Sequence, residues 1–173
     1  MDLERIEKKL REARFFFGKM INQESRAFGD KEPFDFYLSA FLSAGRTVDY
    51  RLRHEQATTY PDWRKTWDGT LPAQERELMK FLADDRADEV HRSGSSRAVK
   101  EETIPIRGTY TDSSGTVDVS GTPATLGGSQ DALIIKPAYD FTIDGVDRKA
   151  TDACREYLEL LDRMVAKFKA DHP

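Results

Sequence analysis

The chain has 173 residues, of which 38% are hydrophobic and 34% charged, and it carries a formal net charge of −4. That length suits one domain with a real core, and no apolar run approaches the roughly 20 residues of a membrane span. The acidic balance argues against a protein built mainly to grip duplex nucleic acid, because such binding depends on neutralising phosphates.

Residues 2 to 28 read as a long first helix. Leu3, Ile6, Leu10, Ala13, Phe17 and Met20 recur at alternating steps of three and four, and Phe15 and Phe16 widen that seam. "GDKEP" breaks it. A second helix follows in "PFDFYLSAFLSAGRTVDYRLRHE", with Phe34, Leu38, Phe41, Gly45, Val48 and Leu52 on one face. Its run of Ser39, Ala40, Ser43, Ala44 and Gly45 is small enough to admit another helix closely. "TTYPDWRKTWDGTLP" reads as a connection holding both tryptophans, with one or two helical turns after Pro61. Pro72 suits the start of a third long helix and Gly94 its stop.

After Gly94 the periodicity changes. Ile104, Ile106 and Tyr110 alternate as a strand does, Val117 and Val119 repeat the pattern, and "DALIIKPAYDFTID" adds a further strand or two. The joints are rich in Gly, Ser and Thr, and Asp144-Gly145 closes a small antiparallel sheet. The last helix is predicted from about Asp147 to Lys169, with Cys154, Tyr157, Leu158, Leu161, Met164, Val165 and Phe168 as its stripe. The pattern predicts a mainly α protein over residues 1–173: a four-helix bundle with a β-rich insertion over 99–145 before the final helix.

Few residues carry chemistry. The opening MDLERIEKKL is charged from its second residue and is not expected to act as a secretory signal. Cys154 is the single cysteine, which excludes an internal disulfide and suits a cytoplasmic location. With His54, His91 and His172 far apart in sequence, no metal or cofactor is expected. Arg46, Arg51, Arg53, Arg86, Arg92 and Arg97 all fall mid-chain and leave room for a local basic cleft.

The segment "FLADDRADEVHRSG" places Arg86 on the stripe begun by Leu78 and Leu82, and His91 at the end of the same helix. A charge on a buried stripe is costly unless paired, so one reading makes Arg86 a clamp for Asp84, Asp85 or an acid of another helix. A histidine at a helix C-terminus is equally a plain dipole partner. Trp63 and Trp67 are read as covering a core edge ahead of stacking bases, and His54 as solvent-facing.

Arg86-Ala-Asp-Glu-Val-His91 has the Arg, four residues, His spacing of the HEPN superfamily, where the motif lies late in the third of four helices. "FDFYLSAFLSAGRTVDYRL", "LPAQERELMKFLADDRADEVHRSG" and "CREYLELLDRMV" resemble consecutive helices of small bacterial proteins of that type. The resemblance covers the later helices well, the first weakly and the β insertion hardly at all. It implies a metal-independent ribonuclease or RNA-binding protein, of the toxin or defence kind, acting as a homodimer with RNA or a nucleotide and an antitoxin as partners. His91 would then be the general acid or base and Arg86 the phosphate ligand, supported by Asp85, Asp88 and Arg92. The residue types suit that chemistry, since imidazole titrates near neutrality and guanidinium offers a rigid fork to phosphate oxygens. Ala87 departs from the polar residue, most often Asn, that the family has directly after the arginine. The alternative is a non-catalytic interaction module that kept the bundle and lost the chemistry.

Overall fold

The computed structural model describes residues 3–25, 32–91, 98–103, 106–112, 115–121 and 135–172, with backbone alone for 85–91 and for the strand residues between 101 and 136. Among these residues, four long helices and one short one surround a common apolar centre: α1 (Leu3–Glu24), α2 (Glu32–Glu55), α3 (Tyr60–Thr70), α4 (Ala73–His91) and α5 (Ala150–Asp171). Between α4 and α5 run β1 (Ala98–Thr103), β2 (Ile106–Asp112), β3 (Gly115–Gly121), β4 (Ile135–Ile143) and β5 (Val146–Lys149).

The helical stripes read from sequence are the ones that bury. Ile6, Leu10, Ala13 and Met20 of α1 face inward, with Leu3 and Phe17 partly covered. Phe34, Leu38, Phe41, Val48 and Leu52 of α2 meet Tyr157, Leu161, Met164 and Phe168 of α5 in the same cluster. Phe15 does not widen the α1 seam: it is 57% exposed, set edge-on to Phe16 and lying under the Lys19 ammonium. The small residues of α2 serve a close approach at Gly45, where an added Cβ would lie 2.7 Å from Tyr157 Cε1.

Pairwise contacts fix the directions. Glu24 at the end of α1 meets Lys149 and Thr151 at the start of α5, and Lys169 near the end of α5 meets Glu7, so these two helices are antiparallel. Phe34 stacks on Tyr139 at the end of the bundle where α5 begins, while Tyr60, just beyond α2, lies against Phe168, so α2 runs parallel to α5. Glu75 pairs with Arg163 and Phe81 touches Phe141, which makes α4 antiparallel to α5. The last turns of α4 therefore lie at the end of the bundle that holds the sheet, away from the C-terminal half of α2.

Three details differ from expectation. The connection after Pro61 is a three-turn helix of 11 residues, seated by Tyr60 and Trp67. Asp144 and Gly145, both at positive φ (52° and 75°), do not end the sheet but turn β4 back into β5. That turn geometry is the one two-residue hairpins favour. The strands consequently continue through Lys149, and the last helix starts at Ala150, not Asp147. The described strands also divide into two sheets: β1-β4-β5, and a separate β2-β3 ladder in which Ile106 pairs with Gly121. The outermost ladder of the first sheet joins Ala98 to Asp140, so the chain leaves with β1 and returns beside it with β4.

Candidate functional site

Leu78, Met79 and Leu82 bury one face of α4 against its neighbours, and the α-helix continues to His91 without loosening. Arg86 takes the next place on the Leu78–Leu82 row. His91 stands five residues further, about 140° around the axis and about 7.5 Å along it. Asp85 and Asp88 occupy the same two turns. The side chains of Asp85, Arg86, Asp88 and His91 lie outside the described residues, as do the whole of Arg92 and Arg97. Asp84, the last side chain described before them, is exposed.

The mid-chain arginines divide between the two ends of the bundle. Arg46, Arg51 and Arg53 belong to the C-terminal half of α2, remote from the turn of α4 that carries Arg86. Arg46, Arg53 and His54 are exposed, as sequence had suggested for His54.

The densest polar cluster among the described residues lies elsewhere and was missed from sequence. Arg64 of α3 bonds Asp49 of α2 through Nη1 and Asp68 through Nε at 2.9 Å. It donates to the Tyr60 hydroxyl at 3.3 Å, and that hydroxyl donates in turn to Asp49. The guanidinium also sits over the Trp67 ring at 5.3 Å. Burial, then the Asp49 carboxylate, pushes the Tyr60 phenol well above its usual range. Burial, the largest single influence, lowers the Arg64 proton affinity, but Asp49, Tyr60 and Asp68 together outweigh it and hold the cation firmly charged. Every strong donor here has an internal acceptor, so the cluster is a clamp of α3 onto α2. Tyr60, Arg64 and Asp68 recur at steps of four, a helical spacing that the Gly- and Pro-containing segment concealed.

The tryptophans complete that clamp. Trp67 is buried, and Trp63 packs edge-on against Phe168 at 4.8 Å while its Nε1 donates to Asp171 at 2.7 Å. His172 stacks on Phe168 and bonds the Phe168 carbonyl through Nδ1 at 3.0 Å. Hydrogen bonds from Lys167 and Trp63 hold the Asp171 carboxyl below the usual carboxylate range. The core-edge reading of both tryptophans thus describes their environment, Trp67 buried and Trp63 partly buried against the core.

At the sheet end, Glu24 is a buried carboxylate tied to the Thr151 hydroxyl at 3.0 Å and to Lys149 at 3.1 Å. A surface groove of about 360 Å³ runs between α1 and α5, floored by Leu10, Val165 and Ala166 and rimmed by the Arg14–Asp162 and Lys169–Glu7 pairs. Among the described residues no group of three or more His, Cys, Asp and Glu is arranged to hold a metal ion, and no helix is long and apolar enough to cross a membrane. Comparison of the chain with protein-family models, with curated proteins and with solved structures gave no match.

Proposed function

We propose that this protein is a HEPN-like RNA-binding protein and metal-independent ribonuclease of the toxin or defence type, with its site on the last two turns of α4. The observation that supports the reading is the unbroken helix from Ala73 to His91, anchored by Leu78, Met79 and Leu82, which carries Arg86 and His91 on one rigid rod. A continuous helix keeps the two positions about 140° apart, so a phosphate between them needs a second wall, supplied by a two-fold mate. The 2′-hydroxyl attacks its own phosphodiester. His91 takes the hydroxyl proton or protonates the leaving 5′-oxygen, and Arg86 neutralises charge on the phosphate oxygens. The products are a 2′,3′-cyclic phosphate and a 5′-hydroxyl. Asp85, Asp88 and Arg92 support the pair in this reading.

The test is cleavage of single-stranded RNA by the purified chain in excess EDTA. The expected result is cutting that His91→Ala abolishes while the melting temperature is unchanged. No cutting by the unmodified chain, or equal cutting by His91→Ala, overturns it.

A second reading, a non-catalytic interaction module, has its own observation. Phe36 and Tyr50 are 62% and 64% exposed on one face of α2, while the best-developed polar cluster is consumed internally. If RNA is bound but never cut, and Arg86→Ala and His91→Ala change nothing, this reading stands.

A further inference from the structure

Two ion pairs set the register between the antiparallel helices α1 and α5. Lys169 meets Glu7 and, two turns along both helices, Asp162 meets Arg14. These rungs stand about 10.5 Å apart along α1 and bracket the groove of about 360 Å³. Midway between them the same register sets Leu10 and Arg11 of α1 against Val165 and Ala166 of α5. The middle rung therefore has a cation and no acid. Arg11 is exposed, lines the groove, and has neither an ion pair nor a hydrogen bond among the described residues. Glu7, one turn before it, is already taken: Lys169 holds its carboxyl below the usual carboxylate range, with Arg11 adding a smaller contribution from a distance.

The walls of the groove thus carry the cations Arg11, Arg14 and Lys169 against the carboxylates Glu7 and Asp162, an excess of one positive charge. The floor is apolar. Leu10 and Val165 are nearly fully buried, and Ala166, exposed and small, leaves the space above it open. The volume falls within the roughly 300–1,000 Å³ of small-molecule sites. A ligand that matches this layout bears one negative charge at one end and an apolar body along the floor. A carboxylate is the group that already fills the other two rungs, and it accepts the two-pronged guanidinium well. A phosphate monoester, close to doubly charged at neutral pH, would set its second charge against Glu7 and Asp162.

We infer that the α1–α5 groove binds a small amphipathic monocarboxylate, whose carboxylate completes the ladder at Arg11 and whose apolar body lies on Leu10, Val165 and Ala166. None of the lining residues belongs to α4, so the site is independent of the ribonuclease reading.

Octanoate is the probe, titrated into the isotope-labelled full chain and followed by amide chemical shifts. Saturable shifts confined to residues 7–14 and 162–169 are expected. Octan-1-ol and octylammonium, which lack the anion, and acetate, which lacks the apolar body, should each bind at least about tenfold more weakly. Arg11→Gln should weaken octanoate by at least about tenfold with the far-UV spectrum and melting temperature unchanged, because the exposed guanidinium makes no bond within the described fold. Arg11→Lys should restore part of the loss. Ala166→Leu, which fills the groove and removes no charge, should block binding as well. Shifts that never saturate or that spread over the whole surface would overturn the inference, as would octan-1-ol binding as tightly as octanoate. So would octanoate binding that is indifferent to Arg11→Gln or to Ala166→Leu. Inorganic phosphate shifting these residues where octanoate does not would overturn the class of ligand.

Discussion

Gly45 of α2 lies close against the Tyr157 ring of α5, and both respond to small chemical changes. In Gly45→Ala the helix gains up to about 1 kcal/mol of propensity. The new methyl, however, meets Tyr157 Cε1 at 2.7 Å and Leu161 Cδ1 at 3.2 Å. Tyr157 is buried and packed edge-on to Phe41, so its ring has nowhere to retreat, and overpacking of this kind costs about 1–3 kcal/mol. The expected outcome is a net loss on the order of 1 kcal/mol in denaturant unfolding. The phenols of Tyr157 and Tyr60 supply a pH test. Burial and then the charge of Asp49 raise both well above the ordinary tyrosine value, which is near 10 in an unfolded chain. The unfolded chain therefore loses these protons first. The stability that they contribute is complete below about pH 10 and is lost as pH rises beyond it. Titration followed by tyrosinate absorbance should find at least two of the six tyrosines, Tyr60 and Tyr157, ionising only together with unfolding. Six phenols that ionise with the helical signal intact would contradict this.

The elements divide by how local their causes are. The buried stripes of α1, α2 and α5 were legible because a 3.6-residue period is written in consecutive turns, and Leu38, Val48 and Leu161 are all fully or nearly fully buried where that period puts them. α3 was legible only as one or two helical turns after Pro61, not as a helix of 11 residues. Its order comes from contacts far away in sequence, with Trp63 reaching Asp171 and Arg64 reaching Asp49, and the Gly and Pro around it read as a connection. Asp144-Gly145 was recognised as a turn but not as a hairpin, because the four residues after it, Val-Asp-Arg-Lys, look like a charged helix start. Their strand form depends on pairing with Asp140–Ile143. The hairpin carries its own expectation. Gly145 has φ near +75° with open space around it, so Gly145→Ala meets no clash but incurs the left-handed penalty of about 1–2 kcal/mol. Its thermal midpoint should fall, while Gly69→Ala, in the exposed last turns of α3 with equally open space, should hold or raise it. Equal behaviour of the two would argue against the positive-φ turn. The candidate site shows the same division: the places of Arg86 and His91 on α4 were readable, but what faces them is a matter of other chains or other segments.

Taken as a whole molecule, the protein is an α-rich body whose two ends differ. One end gathers the sheet, the α1–α5 junction and the final turns of α4. The other gathers α3, its aromatic clamp and the arginines of α2. This polarity separates the proposed RNA chemistry on α4 from the aromatic clamp of α3 and the arginines of α2. On the proposed reading, a chain of net charge −4 contacts RNA through a few placed groups and not through a broad basic surface. The measurement that tests this most directly is the chemical identity of the RNA ends left after incubation with the chain in EDTA. Attack by the 2′-hydroxyl leaves 2′,3′-cyclic phosphates and 5′-hydroxyls, detected by mass spectrometry and absent with His91→Ala. Intact RNA, or ends bearing 3′-hydroxyls and 5′-phosphates, would contradict a site built on Arg86 and His91.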